Sequence, residues 1–120
     1  MRSVLLVEDD KKINLALSLR LKSMGFQVSS ASDAVYAMNV AQQCNPEVVL
    51  LDINLPGGDG FMVADRIRAS DTFSSTPIVF ITASNEQKFR TRAKEYASCM
   101  FLEKPFHSME LIDAIDELCH

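Results

Sequence analysis

Residues 48–51 read Val-Val-Leu-Leu, and the next residue is Asp52. Four apolar side chains in succession leave no polar face on an extended segment, so it must be covered on both sides, the condition of a central strand in a parallel sheet. Pro56 lies just beyond and cannot donate to a ladder, which ends the strand-forming stretch. The segment therefore brings a carboxylate to the tip of a buried strand, and a charge in such a place needs a compensating group.

Weaker apolar runs recur at residues 4–7, 26–30, 78–81 and 100–102, giving five predicted strands. The segments between them have helical period. Ile13, Leu17, Leu21 and Met24 fall at i, i+4, i+8 and i+11, and Ala34, Ala37, Met38 and Ala41 at i, i+3, i+4 and i+7. A third helix runs through Phe61, Ala64 and Ile67 after the turn-rich LPGGDG, and a fifth carries Leu111, Ile112, Ile115 and Leu118. The fourth is predicted to open at residues 84–87, where Ser84 and Gln87 have the spacing of a capping box, and to run toward Lys94. Strict alternation with right-handed crossovers implies an α/β fold: a five-stranded parallel sheet, doubly wound, with helices on both faces. The flavodoxin-like strand order 2-1-3-4-5 is the usual arrangement at this size, and it puts the ligand crevice at the carboxyl ends of strands 1 and 3. Those ends are Glu8-Asp9-Asp10 and Asp52.

With 120 residues the chain fits one domain, spanning residues 1–120, large enough to bury a core without staples. A formal charge of -4 argues against direct nucleic-acid binding, which rests on clustered Lys and Arg. Cys44, Cys99 and Cys119 form no CxxC pair and leave one unpaired, as in a reducing compartment, and are read as buried small hydrophobes. The amino terminus is too short in apolar residues for a signal peptide and no stretch approaches a membrane span. A cytoplasmic protein is expected.

Strand 4 ends at Thr82-Ala83 and strand 5 at Lys104-Pro105, so four strand tips near the crevice carry polar side chains. Singly each has a plain explanation: Asp9 or Asp10 can cap the first helix, Thr82 can end a strand, and Lys104 can be solvated. Together they pose an electrostatic problem, because two like charges about 5 Å apart repel by about 3 kcal/mol at an effective dielectric near 20. A hard divalent cation with oxygen ligands resolves it, and Mg²⁺ suits one or two carboxylates, a carbonyl and waters.

VEDD after strand 1, LLDINLPGGDG after strand 3, FITAS after strand 4 and FLEKPF after strand 5 resemble the receiver domain of two-component response regulators, in order and over nearly the whole chain. The resemblance implies a signalling switch that takes a phosphoryl group onto Asp52 from a sensor histidine kinase, a histidine phosphotransfer protein or a small acyl phosphate. It implies a Mg²⁺ cofactor, with Mn²⁺ as a substitute, bound directly by Asp9 and Asp52, by the main-chain carbonyl of Asn54, and by Glu8 through water. It matches Thr82, the Ala83 amide and Lys104 to the groups that meet the phosphoryl oxygens, and implies a cis Lys104–Pro105 bond. Thr82 and Phe101 match the switch pair, which repacks the face of helix 4, strand 5 and helix 5 toward an output domain, a target protein or a phosphorylation-dependent homodimer. Phe101 has no hydroxyl, so a phenol hydrogen bond at that position is excluded. The domain is expected to catalyse only its own phosphorylation and dephosphorylation, the latter influenced by Asn54 and Ser84.

KFRTRAK, residues 88–94, reads as a solvated basic helix face, with docking of an acidic partner as the alternative. His107 is read as a helix-start residue, and His120 is terminal. Tyr96-Ala97 stands where many receivers have Gly-Ala, leaving no glycine for a left-handed turn before strand 5. Two rival functions stay open. A haloacid-dehalogenase-like phosphatase would want a second Asp where this chain has Asn54, and a pseudo-receiver interaction module would lack one of the site residues.

Overall fold

The computed structural model describes residues 2–84 and 86–119; His120 and the middle of the expected capping box, Asn85, lie outside them. Strands β1 (Ser3–Val7), β2 (Gln27–Ala31), β3 (Val48–Asp52), β4 (Ile78–Thr82) and β5 (Cys99–Glu103) alternate with helices α1 (Lys11–Ser23), α2 (Ala34–Cys44), α3 (Gly60–Ala69), α4 (Gln87–Ala93) and α5 (Ser108–Leu118). All pairings are parallel and the order is β2-β1-β3-β4-β5.

The double-sided apolar runs produce two cores by simple alternation. Leu5, Val7, Val49, Leu51 and Phe80 face Ala34, Ala37 and Ala41 of α2 and Phe61, Ala64 and Ile67 of α3. Val4, Leu6, Val48, Leu50, Val79 and Ile81 face Leu21 of α1 and Leu111, Ala114 and Ile115 of α5. Each such Leu or Ile contributes roughly 1.5–3 kcal/mol when fully buried. All residues of β3 and β4 are buried, whereas the edge strand β5 is only half-covered and exposed at Glu103.

Two expectations change on contact with the structure. Ser84 does not cap α4; its Oγ accepts from the Glu86 amide at 3.3 Å in a tight turn, and the helix starts at Gln87 behind Glu86, which makes no side-chain capping bond. The left-handed residue before β5 is Ser98, with φ 54°, rather than position 96. The cysteines are half-buried free thiols, and the Cys99 Sγ donates to the Ala93 and Tyr96 carbonyls at the end of α4, at 3.0 and 3.2 Å. His107 is the N-cap residue of α5, and its amide donates to Glu110 at 3.1 Å. Among the described residues no helix is long and apolar enough to cross a membrane.

Candidate functional site

The register fixes where the polar strand tips meet. Val7 lies beside both Ala31 and Leu51, Asp52 beside Ile81, and Thr82 beside Glu103, so β1, β3 and β4 end at nearly one level. Backbone bonds extend the alignment past the last residues: Glu8 N–H donates to the Ala31 carbonyl at 3.1 Å, Ile53 N–H to Ile81 at 3.0 Å, and Lys104 N–H to Thr82 at 2.8 Å. The Lys104–Pro105 bond is cis.

The three consecutive acids after β1 separate into different roles. Asp10 caps α1, its Oδ1 accepting from the amides of Lys12 and Ile13 at 2.9 and 3.1 Å. Asp9 is exposed. Glu8 is 1% exposed and turns inward, where its Oε1 accepts from Lys104 Nζ and its Oε2 from the Asp10 amide at 3.3 Å. Lys104 Nζ also donates to Asp52 Oδ2 at 3.2 Å, so one ammonium bridges two buried carboxylates. Oxygens of Glu8, Asp9 and Asp52 all lie within 4.8 Å of one another.

That crowding has a titration signature. Burial first, then the neighbouring Asp52 carboxyl, pushes Glu8 up to about 7, against the pull of Lys104. Lys104 itself is held above its ordinary value: burial opposes its charge, but its bonds to Glu8 and Asp52 outweigh that penalty. The pocket thus holds one cation against three acids and has a surplus of negative charge.

Asp52 is fixed from the other side by the loop that follows it. Its Oδ1 accepts from the Asn54 amide at 3.0 Å, and the Asn54 side-chain amide donates to Thr82 Oγ1 at 3.3 Å. Thr82 is fully buried and its Oγ1 also accepts from the Ser84 amide at 3.1 Å. Ala83, between them, is exposed at the mouth. Gly57 and Gly58 have φ of 79° and 134°, values that L side chains rarely adopt, and they turn the chain back toward α3. Gly60 then donates to the Ile53 carbonyl at 2.7 Å and rests on the Asp52 backbone; a Cβ there would collide with the Asp52 carbonyl and lie 2.8 Å from Ile53 Cα.

Glu8, Asp9, Asp52, Asn54, Thr82, Ala83 and Lys104 therefore come together, while Phe101 lies apart on β5, opposite Phe80. The side-chain link from Asn54 to Thr82 was not legible in sequence, because it joins residues 28 apart with no local pattern. Nor was the role of Tyr96. Its ring stacks on Phe61 at 6.1 Å and packs on Phe80 at 5.4 Å, and its hydroxyl donates to Asp65 of α3 at 2.5 Å. Burial and Asp65 push that phenol up to about 12, so it stays a donor. The basic run on α4 is largely neutralised within the chain: Lys88 pairs with Glu86, Arg90 with Glu103, and Arg92 with Asp65 and Glu95. This agrees with a solvated face.

Comparison with known proteins defines the class. The response regulator receiver domain profile matches residues 4–116, and the chain belongs to that family. It is 34% identical over 117 residues to the transcriptional regulatory protein GltR of Pseudomonas aeruginosa, covering 98% of this chain and 48% of that protein. It is 32% identical over 114 residues to the phosphate regulon transcriptional regulatory protein PhoB of Escherichia coli, covering 95% and 50%. The chain spans about half the length of the curated relatives it matches. Among solved structures, the chemotaxis response regulator CheY4 of Vibrio cholerae superposes with a TM-score of 0.89 at 27% identity, covering 98% of both chains. The receiver domain of the sensor histidine kinase PA1611 of Pseudomonas aeruginosa, solved with a magnesium ion in its active-site cleft, gives 0.89 at 28% identity and covers 98% of this chain and 97% of that one.

Proposed function

We propose that residues 1–120 act as one receiver unit, a phosphorylation-activated switch whose phosphoryl acceptor is Asp52. The observation that carries this reading is the ammonium of Lys104 shared between Glu8 and Asp52 at the ends of β1 and β3. It holds a nucleophilic carboxylate rigidly in a pocket that still lacks positive charge.

The donor set fits a hard divalent cation, because the clustered oxygens of Glu8, Asp9 and Asp52 carry more charge than Lys104 balances. Mg²⁺, or Mn²⁺ in its place, would be held by Asp9, Asp52 and the Asn54 carbonyl, with Glu8 acting through water, and would neutralise charge on the incoming phosphoryl oxygens. The remaining work falls to the chain. A carboxylate oxygen of Asp52 forms a bond to phosphorus while the bond from phosphorus to the donor imidazole nitrogen breaks, and the electron pair returns to the imidazole. With acetyl phosphate the P–O bond breaks and acetate leaves. Lys104 exchanges part of its contact with the carboxylates for a phosphoryl oxygen. Thr82 gives up the Asn54 amide to donate to another, and the Ala83 amide serves beside it. Movement of Thr82 is coupled to Phe101 and thereby to α4, β5 and α5, the face offered to an output domain, a target protein or a second phosphorylated copy.

In this reading the domain turns over no external substrate beyond its own phosphoryl group, binds no nucleic acid directly, works in the cytoplasm, and takes its phosphoryl group from a histidine kinase or phosphotransfer protein. The test is intact mass after incubation with acetyl phosphate, with and without Mg²⁺, on wild type and Asp52→Asn. One added phosphoryl group that requires both Mg²⁺ and Asp52 is expected. A folded protein that gains no mass under a short quench would support the pseudo-receiver reading, and steady phosphate release from a phosphate ester would support a phosphatase.

A further inference from the structure

The switch aromatic has a partner on α4 that its own strand does not supply. The guanidinium carbon of Arg90 lies 4.6 Å from the centroid of the Phe101 ring, and an Nη atom of the same group is 3.3 Å from Glu103 Oε1. Residues i and i+2 of a strand share a face, so ring and carboxylate stand side by side and one planar guanidinium spans both. A lysine ammonium, being compact, holds one of the two well but not both.

The ring is half-buried against the edge of the core that α2 and α3 cover. Phe61, Phe80, Phe89 and Tyr96 form a continuous aromatic cluster, and among the described residues Phe101 has no ring contact with it. A cleft of about 270 Å³ opens between α4 and β5 beside Arg90, Ala93, Cys99, Met100 and Phe101. The helix that carries Arg90 is seven residues long, has no side-chain cap, and buries only Ala93.

We infer that Arg90 is a positioning residue that holds Phe101 in its resting place, a clasp from α4 to β5 that opens when the ring leaves. This rests on the reading of Phe101 as the switch aromatic. The clasp belongs to the resting conformer, and the conformer that reacts with acetyl phosphate is the minor one in which the ring has left, so opening the clasp raises the reactive population, and with it the initial rate, by the same factor. A cation over a partly exposed ring corresponds to about a two- to five-fold change in such an equilibrium.

The test compares initial phosphorylation rates by acetyl phosphate in Mg²⁺, read by intact mass, for wild type, Arg90→Met, Arg90→Lys, Phe101→Ala and the Arg90→Met/Phe101→Ala double variant. The ring resonances of Phe101 are followed by NMR before and after phosphorylation. Arg90→Met, which keeps bulk without charge, is expected to phosphorylate about threefold faster and to shift the resting Phe101 signals toward their phosphorylated positions. Arg90→Lys should fall between, and Arg90→Met should add nothing in the Phe101→Ala background. If the Phe101 ring responds to phosphorylation but Arg90→Met changes neither rate nor signals, the clasp is wrong and the switch stands. The same is concluded if the Arg90 effect persists without the ring. If the Phe101 signals do not change on phosphorylation, the switch reading falls and the clasp with it.

Discussion

The carboxyl ends of β1, β3 and β4 and the surface formed by α4 and β5 are built on opposite principles. At the first, Glu8, Asp52 and Thr82 are buried, each has at least one hydrogen bond from a residue on another element or the following loop, and Gly60 packs against the Asp52 backbone so closely that a methyl group has no room. At the second, α4 is short and has no side-chain cap, β5 is half-covered, and the ion pairs that tie α4 to β5 (Arg90–Glu103) and to α3 (Arg92–Asp65) are exposed. Exposed ion pairs each contribute about 0–1 kcal/mol. The difference teaches a division of labour. On the proposed reading, a nucleophile needs fixed geometry and would sit on the rigid part of the sheet, while a signal needs an element that moves at low cost and would sit on the edge.

Substitutions on the two sides should therefore differ in size. Lys104→Met leaves Glu8 and Asp52 buried together without their cation, and breaking such a set is expected to cost about 3 kcal/mol in urea unfolding with EDTA at pH 8. A loss below about 1 kcal/mol would mean that the carboxylates are solvated rather than locked.

Glu8 gives the comparison a pH dependence. Its native pKa of about 7 stands above the ordinary 4.5, so the native state holds the Glu8 proton more tightly than the unfolded chain does. The stability from this group is fully present below pH 4.5 and is lost as pH rises through 7. Without metal, wild type should lose on the order of 2 kcal/mol between pH 5 and pH 8, and Glu8→Gln should flatten that slope and be the more stable of the two at pH 8. Mg²⁺ binding, followed by calorimetry, should strengthen over the same interval as Glu8 ionises.

On the switch side the effects are smaller. Tyr96→Phe removes the hydroxyl bonded to Asp65 and keeps the stacked ring, so about 1 kcal/mol is expected, with faster amide exchange confined to α4 and the turn before β5. Arg92→Ala removes exposed pairs with Asp65 and Glu95 and a guanidinium 5.0 Å from the centroid of the Phe61 ring, and should cost no more than about 1 kcal/mol in urea unfolding.

Legibility in the sequence followed the same division. The core strands were found to within a residue because a strand buried on both faces must be continuously apolar, and β2, the half-exposed edge, was the one placed a residue early at both ends. Glu8, Asp52, Thr82 and Lys104 could be named because each stands at the end of an apolar run, while Asn54, Ala83 and Phe101 were legible only through the resemblance, and only the structure shows that Asp10 caps α1 while Glu8 turns inward to Lys104. The α4 region was read least well. Ser84 has the spacing of a cap but closes a turn, and Ser98 takes the left-handed position without glycine; outside that region, Phe73 is buried in the turn between α3 and β4, which no period announces. Arg90, Arg92 and Tyr96 find their partners 13 to 31 residues away, at Glu103 and Asp65, and no local pattern encodes contacts across that distance.

The most direct test of the division is amide hydrogen exchange by mass spectrometry on the Mg²⁺-bound protein, before and during full phosphorylation by excess acetyl phosphate. The account expects altered exchange in α4, β5 and the start of α5, with β1, β3 and the body of α2 unchanged. Exchange that is unaltered across α4 and β5 while Asp52 is fully modified, or that changes equally throughout the sheet, would contradict it.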